Sequence, residues 1–182
     1  MVPLFWMHNI KGMDVVWPIH NLKKEPAIKV SEASKILLVP ASNYVLVKRF
    51  SSKEQKKRVH AGVLLKSAMK FERIGIENHL NYIYKYGGLL SVEEAYGIAG
   101  VLDTSIIDIF FRMLNGSTQV NAVDIENLPF PSLESIQEIG KNIIKSKPVI
   151  GQELDKLVIY ILKIDQQILQ DLKEAYNQNG KN

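Results

Sequence analysis

Hydrophobic positions along the chain follow two different periods, and the change between them falls near residue 90. Before it, short apolar or alternating runs predict strands. Residues 36–39 (ILLV) read as a short buried strand closed by Pro40. Residues 44–50 (YVLVKRF) alternate and suit a half-buried strand, which Ser51-Ser52 breaks. Residues 59–65, 74–77 and 80–84 supply further strands, with Asn78-His79 between the last two and Gly87-Gly88 ending the region. Residues 1–30, with Pro3, Pro18, Pro26, Trp6 and Trp17, suggest extended and turn structure and read like the continuation of something upstream.

Beyond residue 90 the period becomes helical. Ser91 and Glu94 form a capping box for a helix reaching about Leu102. Asp103-Thr104 caps the next, whose Ile106, Ile107, Ile109, Phe110, Phe111 and Leu114 cover nearly every face and predict a buried helix; Asn115-Gly116 stops it. Arg112, near its end, suits the helix dipole. After Pro129-Phe130-Pro131, Ser132 caps a helix with Ile136, Ile139, Ile143 and Ile144 on one face. Pro148 and Gly151 mark a turn, and Leu154, Leu157, Ile161, Ile164 and Ile168 then recur as a coiled-coil-like seam. The expected fold class is α+β. A small, irregular, mostly antiparallel sheet with packed helices occupies residues 1–131, a helical hairpin follows over 132–176, and a disordered tail over 177–182.

Charge sharpens this picture at one place. Of the 23 basic residues, six (Lys48, Arg49, Lys53, Lys56, Lys57 and Arg58) cluster against Glu54 alone, and the remaining chain is 17 positive to 18 negative. The net charge of +4 is therefore one local cluster at the end of a strand, which suits a polyanion or a solvated loop. A second polar run, Gly116-Ser117-Thr118-Gln119-Val120-Asn121, offers donors and acceptors without charge. It either satisfies its own loop or reads hydrogen-bonding edges such as those of bases.

Other chemistry is missing from the sequence. With no Cys there is neither disulfide nor thiolate, which fits an intracellular, cytoplasmic protein, and no apolar run approaches a membrane span of about 20 residues. His8-Asn9 and His20-Asn21 are candidates to face a ligand, but no third group stands at a metal-binding spacing, so no metal site is expected. There is no P-loop, Rossmann fingerprint or Gly-x-Ser-x-Gly, and Glu93 and Glu94 point apart on a helix, so no catalytic residue is assigned.

The runs YVLVKRFSSKE at 44–54, IENHLNY at 76–82 and GSTQVNA at 116–122, in that order, resemble the carboxy-terminal part of type II adenine-specific DNA methyltransferases of the PstI/BsuBI group. More loosely, they resemble TaqI-like specificity domains. The Gly-x-Thr-Gln-x-Asn run and Leu128-Pro129-Phe130-Pro131 also resemble a segment of type I specificity subunits. The likeness covers residues 4–131. It implies a target-recognition domain for double-stranded DNA in a restriction-modification system. The family's catalytic motif needs adjacent prolines, which this chain lacks. S-adenosylmethionine is accordingly expected in a catalytic domain elsewhere, in the same or a separate chain, and no cofactor in this one. The DNA-contacting candidates are Lys48, Arg49, Ser51, Ser52, Lys53, Lys56, Lys57 and Arg58, then His79 and Asn81, with Thr118, Gln119 and Asn121 either contacting DNA or locking their loop. The alternative is an interaction or type I-like specificity subunit that docks a methyltransferase through its C-terminal helices.

Overall fold

A computed structural model describes residues 1–52, 54–146 and 149–179. The strands are β1 (Val2–Phe5), β2 (Ile10–Lys11), β3 (Asp14–Val15), β4 (Ala27–Ile28), β5 (Leu38–Pro40), β6 (Tyr44–Lys48), β7 (Ala61–Leu64), β8 (Arg73–Ile76) and β9 (Leu80–Ile83). The helices are α1 (Glu32–Lys35), α2 (Val92–Leu102), α3 (Ser105–Leu114), α4 (Ala122–Glu126), α5 (Leu133–Lys145), α6 (Gln152–Leu162) and α7 (Gln166–Asn179). The class is α+β, as expected, but the strands form two sheets. Their orders are β4-β1-β8-β5 and β2-β3-β7-β6-β9, and each contains one parallel pair, β1 with β8 and β3 with β7.

The larger sheet is a middle layer, and β6 shows why. Its side chains alternate between faces. Tyr44 and Leu46 join a core with Phe5 and Ile74 of the smaller sheet and Leu80 of β9, whereas Val45 and Val47 join the core shared with α2, α3, α5 and α6. All four are buried, so the strand read from sequence as half-buried is covered on both faces. The run at 36–39 differs too. Ile36 and Leu37 are exposed, and the strand begins at Leu38 and carries Pro40, which a sheet edge tolerates.

The helical layer is anchored by α2. Ser91 Oγ accepts from Glu94 N at 3.0 Å, and the Glu94 carboxylate accepts from Ser91 N at 2.9 Å, completing the capping box. Glu94 is buried and also accepts from Lys85 Nζ at 3.0 Å and Gln137 Nε2 at 3.3 Å, so the cap ties α2 to α5. The Ser91 N–H bond, aided by Lys85 and Gln137 against burial, holds the Glu94 carboxyl below its usual range. A lowered folded pKa stabilises the fold above the unfolded pKa, and that contribution is lost as pH falls through the folded value. Glu94→Gln should therefore lower stability by about 1–2 kcal/mol at neutral pH and by less in acid. Urea denaturation at pH 7 and pH 3.5 checks this; an equal loss at both would contradict it.

Helix α5 lies on α2 at close range, so one core runs from Met13 through to Val158 across the junction at residue 131. The seam from Leu154 to Ile168 is broken. Lys163 adopts a left-handed conformation at φ 51°, α6 ends, and Asp165 starts α7 by accepting from Gln167 N at 2.8 Å. The chain stays helical to Asn179, which takes in residues 177–179 of the stretch read as a disordered tail, while residues 180–182 lie outside the described part. Helix α3 buries only one face, through Ile107 and Phe111; Met113 and Leu114 are exposed. Among the described residues no helix is long and apolar enough to cross a membrane.

Candidate functional site

Beyond Lys48 the backbone of β6 continues as an irregular ribbon that joins the two polar stretches. Arg49 N donates to His79 O at 2.9 Å, Val120 N donates to Arg49 O at 2.8 Å, and Ser51 N donates to Thr118 O at 3.1 Å. Phe50 and Gln119 pair as an isolated antiparallel bridge. The basic run and the Thr-Gln-Asn run, far apart in sequence, thus lie side by side.

The loop before α4 holds itself. Asn115 Nδ2 donates to Asp124 Oδ2 at 2.7 Å, Ser117 N donates to Asn115 Oδ1 at 2.7 Å, and Asn121 N donates to Asp124 Oδ2 at 2.8 Å. Asn81 Nδ2 donates to Val120 O at 2.7 Å, pinning the ribbon to β9. Asn81 and Asn121 therefore serve the scaffold. Thr118 and Gln119 expose their side chains while their backbones are tied down. The run locks its loop, and it also presents two polar side chains to solvent.

The basic cluster divides in the same way. Arg58 is 2% exposed and Ser51 3%, so neither faces solvent as the sequence led one to expect. Arg58 Nε donates to Ser51 Oγ at 2.9 Å and its Nη2 to Ser117 O at 2.5 Å, with the guanidinium 5.5 Å over the Phe111 ring. Its backbone N–H donates to Asp108 Oδ1 at 2.5 Å, and Asp108 Oδ2 accepts from Arg112 Nε at 2.7 Å. Arg112 thus serves this network, reaching Gln55 O at 2.6 Å, rather than merely a helix dipole. A buried guanidinium needs such a set of acceptors, because desolvated charge is costly unless paired. Lys57 pairs with Asp103, whose carboxyl burial pushes up against the pull of that lysine. Arg49 donates through Nη1 to Asn78 O at 2.9 Å, and its Nε is buried without a partner among the described residues. Ser52 and Lys56 are exposed, Lys48 is half-buried, and Lys53 lies outside the described residues. His79 is exposed at the rim, bonded through Nδ1 to Glu77 Oε1 at 2.6 Å and packed 5.1 Å from the Phe50 ring.

Between this ribbon and the turn at Met7–Asn9 lies an open cleft of about 430 Å³. His8, Lys48, Lys56, Lys57 and His60 line it, with Met7 and Phe50 as apolar walls. Burial and then Lys11 push the Lys48 pKa down; burial, Lys48 and Lys57 push that of His60 down. His60 and Phe50 escaped the sequence reading, because a lone histidine at a strand entrance and an apolar strand residue carry no signal of shared position. Of the His8-Asn9 pair that the sequence offers to a ligand, His8 lines the cleft, whereas Asn9 is buried and donates to Val16 O at 2.7 Å. No group of three metal-ligating side chains occurs among the described residues.

Over 175 residues, 96% of its length, the chain is 37% identical to the type II methyltransferase M.BsuBI of Bacillus subtilis, of which it covers 34%. Over 142 residues, 78% of its length, it is 35% identical to the type II methyltransferase M.PstI of Providencia stuartii, of which it covers 28%. The chain therefore spans about a third of the length of these curated relatives. No protein-family model and no solved structure matches it.

Proposed function

Because the chain is homologous to one part of the type II methyltransferases M.BsuBI and M.PstI, we propose that it is the carboxy-terminal target-recognition part of such an enzyme. On this reading it binds double-stranded DNA and selects the site at which an adenine is methylated. The catalytic domain, with its S-adenosylmethionine, belongs to the two-thirds of the relatives' length that this chain does not span, in the same or a separate chain. A cytoplasmic location goes with that substrate.

The observation that carries the reading is the ribbon joining Phe50 to Gln119. It puts exposed Ser52 next to the strand pairing that carries exposed Thr118 and Gln119, with exposed Lys56 four residues further along the same basic stretch. That combination divides labour as DNA recognition requires. Cations and hydroxyls hold phosphates, and neutral amide or hydroxyl side chains pair with base edges. Gln119 is suited to adenine, whose major-groove edge presents one donor and one acceptor to an amide.

Fluorescence anisotropy with random-sequence duplex at two salt concentrations tests the reading. Binding should weaken steeply with salt, since each neutralised phosphate releases a counterion. A preferred site selected from a randomised pool should then lose about 1–3 kcal/mol of discrimination at one position in Gln119→Ala, with random-duplex affinity nearly unchanged. Absence of duplex binding at low salt overturns the proposal.

A further inference from the structure

Resting on the DNA-recognition reading, we infer that the cleft between the Met7–Asn9 turn and the Phe50 ribbon is a seat for one phosphate of the DNA backbone, with the adjoining sugar against Met7 and Phe50. Two distant parts of the chain converge there: the turn brings His8, while the end of β6 brings Lys48 and the connection after it brings Lys56, Lys57 and His60. No carboxylate lines the cleft among the described residues. Asp103 answers Lys57 from outside it, and the others crowd one another without a lining counter-charge. Burial, and then Lys11 outside the cleft, lower the proton affinity of Lys48, while burial, and then Lys48 and Lys57, lower that of His60; a bound oxyanion would oppose both.

The cleft is larger than a phosphate, which is where Met7 and Phe50 matter. They offer an apolar wall of a kind that a sugar ring covers and a free inorganic ion does not. Position gives the seat its use. Phe50 forms one side of the cleft and pairs through its backbone with Gln119, so a phosphate held there fixes the duplex relative to the side chains at 118 and 119. Contacts of this kind carry no sequence information themselves but set the register in which bases are read.

The test uses the full chain carrying His8→Ala and Lys48→Met, which remove a hydrogen-bonding ring and the Lys48 charge at the cleft and keep an apolar stem at 48. Thermal unfolding first confirms a folded variant. Random-duplex affinity should fall on the order of fivefold, and the salt slope should become shallower by about 0.9, one phosphate's worth of counterion release. The preferred sequence should not change. A folded variant that binds duplex with unchanged slope overturns the seat and leaves the DNA-recognition reading standing. Titration of the unmodified chain with inorganic phosphate supplies the second arm, read from the histidine ring resonances. Shifts of His8 and His60, with His20 unmoved, support a phosphate seat. Such shifts without any duplex binding by the chain would reassign the cleft to a free phosphate compound and defeat both proposals. No shift and no change of slope would defeat the cleft alone.

Discussion

Alanine at Gly97 or at Gly140 is expected to cost more than about 4 kcal/mol and to leave little folded protein. A Cβ at Gly97 would stand 1.9 Å from Ile136 O, and one at Gly140 would stand 1.9 Å from Glu93 O. Each obstacle is the backbone of the facing helix, so no side-chain rotation relieves either clash. In an isolated helix the same change would stabilise by about 1 kcal/mol, so the sign here is set by the approach of α2 to α5. Separating these helices would open the core at Ala99, Leu102, Ile139 and Ile143, all essentially inaccessible to solvent. Gly100 provides the internal comparison. Its nearest obstacle is the Ile143 Cδ1 methyl at 2.4 Å, the tip of a flexible side chain, and its alanine variant should lose about 1–2 kcal/mol. Denaturation midpoints of the three variants decide the matter. A Gly140→Ala protein with an unchanged midpoint would refute the close crossing.

The second large effect is at Arg58. Arg58→Ala should cost about 3–5 kcal/mol, the range for breaking a buried charge network from one side. The change strands Ser51 Oγ and Ser117 O and removes the guanidinium from beside Asp108, whose bonds from Arg112 and from the backbone N–H groups of residues 58 and 59 remain. Lysine should not rescue it, since one ammonium cannot reproduce a planar fork aimed at two acceptors. On the proposed DNA-recognition function, DNA affinity should fall together with stability, because the guanidinium ties Ser51 to Ser117. Lys56→Glu is the contrast: a loss of affinity with the unfolding temperature nearly unchanged. Thermal unfolding and duplex binding measured on both variants separate the roles. An Arg58→Ala protein of full stability that no longer binds DNA would make Arg58 a contact residue after all.

Both effects lie where the sequence was least legible. Helix caps at Ser91 and Ser132 could be read because their chemistry is local, and β6, β7, β8 and β9 because apolar runs report burial directly. Gly97, Gly100 and Gly140 carry no such local signal; their meaning depends on a facing helix some 40 residues away. The smaller sheet was missed as a separate layer because its pairings, such as Leu4 with Gly75 and Val2 with Ile28, are long-range and involve very short strands. Arg58 looks in sequence like one more member of a charge run, and only its burial and the two acceptors gathered by folding distinguish it from Lys56. The break at Lys163 carries neither glycine nor proline, and Asp165 as a cap was the signal available for it.

The ribbon between Arg49 and Val120 has a consequence for how such a surface can diversify. Its hydrogen bonds run from main chain to main chain, and the loop ahead of α4 is closed by Asn115 and Asp124 rather than by the two side chains it displays. Thr118, Gln119 and Ser52 are thereby released from structural duty and can be exchanged for other residues with the backbone path intact. Lengthening either stretch by one residue, in contrast, would put the two main chains out of step and displace every side chain beyond it. Variation at this surface should therefore accumulate as substitutions rather than as insertions, with the buried arginine and the two capping side chains as its fixed frame.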